Sequence, residues 1–127
     1  MSRVVLDASA VLALLNQEAG SDTIASLIPQ AVISAVNLSE VIAKLADAGI
    51  PEASIHQILQ HFNLEVIAFN NEQALTAGLL RPLTKPQGLS LGDRACLALA
   101  MTLNLPVITS DRAWSKLPLD LEIRVIR

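Results

Sequence analysis

The sequence predicts an α/β domain built on a parallel sheet with helices on both faces. Three observations carry that prediction. Short apolar runs of strand length recur along the chain, at 3–6, 31–34, 64–68, 106–108 and 123–126. Segments of helical length or periodicity separate each run from the next, and alternation of strand and helix is the pattern of a parallel sheet. Hydrophobic residues make up 52% of the 127 positions, enough to fill a packed interior and too many for a disordered chain.

Taken in order, Arg3-Val-Val-Leu6 is a buried strand that ends at Asp7. Ser9 is placed to cap a helix over 10–16, and a short helix over 22–28 stops at Pro29. The second strand, 31–34, precedes a helix over 37–48. In that helix Leu38, Val41, Ile42, Leu45 and Ala46 form one stripe, and Asn37, Glu40, Lys44 and Asp47 form another. Gly49 and Pro51 end it and open the next helix, over 51–62. A strand at 64–68 and a helix over 71–80 follow. Pro82, Pro86 and Gly88 mark 81–88 as a loop. The helix over 91–103 is apolar on every face along Ala95-Cys-Leu-Ala-Leu-Ala-Met101, so it should be deeply buried. The fourth strand, a helical turn over 111–116 and the fifth strand complete the chain. No internal repeat or low-complexity tract is present.

Length favours one domain spanning 1–127. No apolar run reaches the roughly 18 residues of a membrane span, and Met1-Ser2-Arg3 leads into a strand rather than a signal peptide. A single cysteine, Cys96, suits a reducing cytoplasm, where the chain is expected to reside. The net charge of −3 argues against broad, sequence-blind adhesion to nucleic acid. It leaves room for an enzyme that grips a backbone with a few local cations and a metal.

Ligands of a parallel sheet bind beyond the carboxyl ends of its strands. Asp7 lies one residue past the first strand, Glu40 in the first turn of the helix after the second, and Asp111 just past the fourth through Thr109-Ser110. Asp93 opens the apolar helix, where it sits near a low-dielectric interior and needs a compensating partner. Each acid has an ordinary structural reading. Asn37-x-x-Glu40 and Ser90-x-x-Asp93 match a capping box, Glu40 can pair with Lys44, and Asp111 can be a simple cap. Four acids together are another matter, because like charges repel by roughly 1 to 4 kcal/mol per pair at 4 Å. Something positive must hold them, and hard oxygen ligands select Mg²⁺ or Mn²⁺.

Val4-Val-Leu-Asp7-Ala-Ser9, Asn37-Leu-Ser-Glu40, Leu89-Ser-Leu-Gly-Asp93-Arg-Ala-Cys-Leu-Ala and Val107-Ile-Thr-Ser-Asp111-Arg-Ala-Trp resemble the PIN-domain family, particularly VapC-type toxins of toxin–antitoxin pairs. The resemblance runs in order over nearly the whole chain. It implies a three-layer α/β/α Rossmann-like fold with a mainly parallel sheet of about five strands, and a Mg²⁺- or Mn²⁺-dependent endoribonuclease. It implies that Asp7 and Asp93 are direct metal ligands, with Glu40 and Asp111 completing the pocket directly or through water. Ser9 and Thr109 or Ser110 would orient carboxylates or bound water. It further implies an RNA substrate, a homodimer and a cognate antitoxin.

Arg94 and Arg112 each follow a pocket acid, so they are candidates to reach a phosphate or neutralise a carboxylate, with Arg81, Lys85 and Lys116 along the approach. The bland reading is that all are solvated surface cations. His56 and His61 sit five apart, which is no metal-ligand spacing on a helix, and Cys96 reads as an inert core residue. Trp114 reads as a core-edge residue more than a base-stacking one. Receiver domains want adjacent acids after the first strand, and haloacid-dehalogenase phosphatases want an aspartate where Ser9 stands, so neither fits. A PIN-type RNA-processing nuclease without an antitoxin, and a non-catalytic binding module of that fold, remain the alternatives. The adjacent amphipathic helices over 37–48 and 51–62 are expected to form a groove for an apolar partner helix.

Overall fold

A computed structural model describes residues 3–126. Met1, Ser2 and Arg127 lie outside the described residues, and with them the part of the N-terminal reading that rests on Met1-Ser2. The first half runs β1 (Val4–Leu6), α1 (Ala8–Leu15), α2 (Ser21–Leu27), a 3-10 turn (Ile28–Gln30) and β2 (Ala31–Ser34). It continues through α3 (Ala35–Asp47), α4 (Glu52–Phe62) and β3 (Glu65–Ile67). The second half holds α5 (Asn71–Leu79), α6 (Arg81–Thr84), a 3-10 turn (Lys85–Gln87) and α7 (Leu91–Leu103). It closes with β4 (Val107–Thr109), a 3-10 turn (Arg112–Lys116) and β5 (Ile123–Val125).

All strand pairs are parallel, in the order β3-β2-β1-β4-β5. Leu6 of β1 stands opposite Ile33 on one side and Ile108 on the other. The chain therefore winds outward from β1 through β2 and β3, then returns to its other side at β4. That reversal places a topological switch point between the carboxyl ends of β1 and β4, where such sheets open a crevice.

Alternation along the strands divides the interior in two. Val4, Leu6, Ile33 and Ile108 face α1 to α4 and pack with Ala10, Ile24, Val41 and Ile55. Val5, Val32 and Val107 face the other way, against Leu97, Leu99 and Trp114. The three central strands are buried on both faces, and for that reason they read as unbroken apolar runs. Helices thus cover both sides of the sheet in three layers. Ala95 to Ala100 of α7 are fully buried, as the apolar character of that helix requires, whereas Met101 is exposed. Among the described residues, no helix is long and apolar enough to cross a membrane.

Three local readings change. Residues 81–88 are two short helical turns rather than a loop. Pro82 and Pro86 each stand in a first turn, where a missing N–H costs nothing. The helix after β1 begins at Ala8 with Asp7 as its cap, so Ser9 lies inside it. The helix after β2 begins at Ala35, directly off the strand, because the Ser34 hydroxyl accepts from the Val36 N–H. Asn37 and Glu40 are therefore interior positions of α3, not a capping box.

Gly20 holds the start of α2 at φ +90°, and a Cβ there would overlap the carbonyl and side chain of Ile126. Gly49 has a similar φ of +85° with open space around it. Gly49→Ala should thus cost about 1 kcal/mol from backbone strain alone, and Gly20→Ala roughly 2 kcal/mol or more. Urea denaturation of the two variants measures the gap, and equal losses would mean that the Ile126 contact carries no weight.

Candidate active site

Three helices begin at the carboxyl edge of the sheet. α1 and α3 do so because they leave β1 and β2 directly. α7 does so because its far end leads within a few residues into the amino end of β4. Their N-termini carry partial positive charge and free N–H groups, which favour anionic groups nearby. Each is capped from the sequence that precedes it: Asp7 for α1, Ser34 for α3 and Ser90 for α7.

Asp7 is the most constrained of the acids, only 3% exposed. Its Oδ1 accepts from the Ala10 N–H at 2.8 Å. The Ser9 hydroxyl is 2.8 and 2.9 Å from its two oxygens and points its proton at them. Thr109 Oγ1, at the end of β4, donates to Oδ2 at 2.6 Å. The network continues outward: Ser9 Oγ accepts from the Ser110 N–H at 3.1 Å, and Thr109 Oγ1 accepts from the Asp111 N–H at 3.0 Å. Ser9 and Thr109 thus both donate to the Asp7 carboxylate, while Ser110 contributes its backbone N–H to Ser9. Burial pushes the Asp7 carboxyl up from 3.8 to about 6; Thr109, Ala10 and Ser9 oppose that rise and the charge of Asp93 adds to it.

Glu40 reaches the same edge from the second turn of α3. Its Oε1 accepts from Asn37 Nδ2 at 2.9 Å, and its carboxylate lies against Gly92, where a Cβ would overlap it. Asn37 Nδ2 also donates to the Gly92 carbonyl at 2.9 Å. Asp93, next in the chain, closes a capping box: its Oδ2 accepts from the Ser90 N–H at 2.9 Å, and Ser90 Oγ accepts from the Asp93 N–H at 3.2 Å. The partner that compensates Asp93 is therefore backbone, not a cation. The predicted capping box at 90–93 is present, and it leaves the second carboxylate oxygen of Asp93 free of capping work.

The structure brings Asp7, Glu40 and Asp93 together. All three charges act on the buried Cys96 thiol, one turn into α7 behind them, and with burial they hold it far above its usual range. That thiol is inert, as the sequence suggested. Asp111 is set apart: it is exposed, and its Oδ1 caps its own 3-10 turn by accepting from the Ala113 N–H. It joins the cluster through its backbone bond to Thr109. Among the described residues, ion pairs join Arg3 to Glu65, Arg124 to Glu122 and His56 to Glu52, and none neutralises these acids. Arg94, expected near the acids, turns instead to the Ala77 carbonyl of α5 at 3.0 Å, because α5 packs directly on α7. Arg112 is exposed beside Asp111. Trp114 is buried to 1% and belongs to the core, which removes it from base stacking.

Oxygen donors without a counter-cation fit a hard divalent ion. Among the described residues no three His, Cys, Asp or Glu side chains stand close enough to ligate one ion together. The arrangement suits an ion held by one or two carboxylates that keeps several of its waters, as Mg²⁺ does. Two residues that sequence reasoning did not place here are Asn37 and Gly92. Their signals were present: a polar residue three positions before Glu40 on one stripe, and a glycine in the first turn of a strongly helical segment.

Comparison with known proteins identifies the family and the fold. The family model described as PIN domain matches residues 4–119, and the chain belongs to that family. Among solved structures it is similar to a chain of the DNA-bound VapBC complex from Salmonella typhimurium. That match has 20% identity and a TM-score of 0.77, and covers 100% of both chains. It is also similar to a chain of VapBC2 from Rickettsia felis bound to a promoter DNA fragment, at 18% identity and TM-score 0.74, covering 94% of this chain and 96% of that one. A chain of FitAcB from Neisseria gonorrhoeae follows at 17% identity and TM-score 0.69, with 95% and 96% covered. At these identities the likeness is one of fold. No curated protein matches the sequence.

The raised Asp7 pKa has a consequence for stability. The native state binds this proton more tightly than the unfolded chain does, so stability present below pH 3.8 is lost as pH rises through about 6. The rise corresponds to about 3 kcal/mol. Urea denaturation in EDTA should show wild type losing stability relative to Asp7→Asn between pH 4 and 6.5, with the variant the more stable at pH 7. Parallel pH profiles for the two proteins would contradict the burial of a charged Asp7.

Proposed function

We propose that this protein is a Mg²⁺- or Mn²⁺-dependent endoribonuclease acting as the toxin of a toxin–antitoxin pair. The observation that carries the reading is the buried Asp7 carboxylate at the switch point, pushed up by burial and further by the charge of Asp93, and left like Glu40 and Asp93 without a paired cation among the described residues. Such an arrangement opposes stability and is explained by a ligand of opposite charge.

In this reading Asp7 and Asp93 are the direct ligands, and Glu40 and Asp111 act through the ion's waters, since no three acids stand close enough to share one ion among the described residues. Ser9 and Thr109 keep the Asp7 carboxylate fixed in one orientation, so no rearrangement is needed when the ion arrives. The capping box does the same for Asp93. When bound, a divalent ion lowers the pKa of water and relieves charge on the phosphoryl oxygens, the two requirements of phosphodiester hydrolysis. The helix N-termini of α1, α3 and α7 favour the approach of an anionic backbone despite the net charge of −3. In this reading Arg112, exposed beside Asp111, is the cation that would meet a phosphate, whereas Arg94 donates to the Ala77 carbonyl of α5.

Two surfaces support partners. Val11, Leu15, Leu38, Val41, Leu59 and Phe62 line an apolar groove of about 250 Å³ bounded by α1, α3, α4 and β3, the position expected for an antitoxin helix. An antitoxin arginine carried beyond that groove to the acids would block the ion by charge-assisted bonds. Leu75, Leu79 and Leu83 form a separate exposed stripe along α5 and α6, which fits a second copy of this chain. Two of the structural relatives named above are VapBC proteins, and the motifs of this chain resemble VapC-type toxins, which together favour the toxin over a housekeeping nuclease.

Three outcomes are expected. Purified chain freed of any partner cuts RNA with Mg²⁺ or Mn²⁺ and stops with EDTA, and cleavage undiminished in EDTA would remove the metal mechanism. Asp7→Asn and Asp93→Asn each lower the rate about 100-fold or more, the scale of removing one preorganised charge-stabilising group; near wild-type rates would overturn the ligand assignment. Sedimentation shows a dimer at tens of micromolar that Leu79→Glu converts to monomer, and a wild-type monomer at that concentration would count against self-association.

A further inference from the structure

We infer that Asn37 is a positioning residue that locks the Glu40 carboxylate to the first turn of α7, so that Glu40 and Asp93 present themselves to the ion as one preformed unit. The inference rests on the metal-dependent reading above and adds a residue to it that neither the family pattern of acids nor the capping signals assign.

Asn37 is an unfavourable choice for its place. It lies in the first turn of α3 and is only 1% exposed, where a buried amide needs partners. The amide spends both Nδ2 protons on the site: one on Glu40 Oε1 and one on the Gly92 carbonyl, each at 2.9 Å. The opposite amide orientation would set Oδ1 against a carboxylate and a carbonyl, so these two acceptors fix the orientation. Oδ1 is left buried without a hydrogen-bond partner, a penalty accepted for the two donations.

Gly92 completes the arrangement from the other side. Glu40 lies on its Cα, in space that any side chain would fill. Glutamate has one more rotatable bond than aspartate, so an unrestrained Glu40 would lose more freedom on meeting an ion. Held between Asn37 and Gly92, its carboxylate is already ordered. A merely structural tie between α3 and α7 would need only the bond to the Gly92 carbonyl and would be indifferent to Glu40. The shared donor links the two.

The test compares wild type, Asn37→Leu, Gly92→Ala, Glu40→Gln and the double variant Asn37→Leu/Glu40→Gln. Mn²⁺ affinity of the metal-free proteins is read by calorimetry, and kcat and KM on RNA are measured in parallel. Asn37→Leu should weaken Mn²⁺ binding and lower kcat by roughly 10- to 100-fold, the scale of losing an outer hydrogen bond to a ligand, with KM changed less than about threefold. Gly92→Ala, a change that ordinarily strengthens a helix, should do the same by displacing the same carboxylate, and it serves should Asn37→Leu fail to fold. In the Glu40→Gln background Asn37→Leu should add less than about threefold, because its effect passes through Glu40. Full additivity, or Mn²⁺ affinity and kcat within twofold of wild type in both single variants, would overturn the positioning role alone. A wild-type chain that binds no Mn²⁺ and cuts no RNA would overturn this inference together with the proposed function.

Discussion

The structure depends on one constraint: a carboxylate, Asp7, is buried at the end of the central strand and must be solvated by protein. Ser9, Thr109 and the Ala10 N–H supply that solvation. In doing so they tie α1 and β4 to one side chain at the end of β1, since Ser9 and Ala10 belong to α1 and Thr109 ends β4. The same hydroxyls receive the Ser110 and Asp111 N–H groups and so set the path of the chain beyond β4. The donors do not fully offset desolvation, and the pKa of about 6 records the balance. A charge held this way is costly to the fold and available to a cation.

The other half of the edge follows the same logic with backbone in place of hydroxyls. α7 must pack almost all its faces, which its alanines and leucines allow, and its N-terminus is thereby brought to α3 over the sheet edge. Gly92 permits the approach and Asn37 fastens it. Asp93 is then held by its own cap one residue further on. Three carboxylates converge with no lysine or arginine paired to them among the described residues, although the chain carries nine cations. Proteins that give up stability at one place commonly do so where they work.

Most of the fold was legible because its signals are apolar and periodic. The double-faced burial of β1, β2 and β4 makes them continuous apolar runs, and α7 is dominated by alanine, leucine and methionine. The placement of Asp7 and Glu40 at one edge was legible too, since parallel topology brings the ends of β1 and β2 together, whereas Asp111 beyond β4 turns aside to cap its own 3-10 turn. Residues 81–87 are helical where prolines signal a loop, because Pro82 and Pro86 fall in first turns, where proline is compatible with helix. The start of α3 was placed too late because Ser34 serves as both the last strand residue and the cap, leaving no loop for a sequence to announce. That two-residue error hid the role of Asn37: as a cap its side chain would serve its own backbone, but inside the helix it reaches across to another element. Arg94 was misplaced for a similar reason, since its neighbour in sequence is an acid and its neighbour in space is α5. Contacts between elements distant in sequence decide such cases, and no local pattern encodes them.

The central claim is that these carboxylates are gathered for a cation. The most direct measurement is anomalous difference density from crystals of the metal-free chain soaked in Mn²⁺ near pH 7. The account predicts a peak at the switch point, at coordination distance of roughly 2.1 Å from a carboxylate oxygen of Asp7 or Asp93 and with water in most remaining positions. Soaked crystals with no peak at that edge, or with the ion bound only at exposed acids such as Asp22 or Glu52, would contradict it.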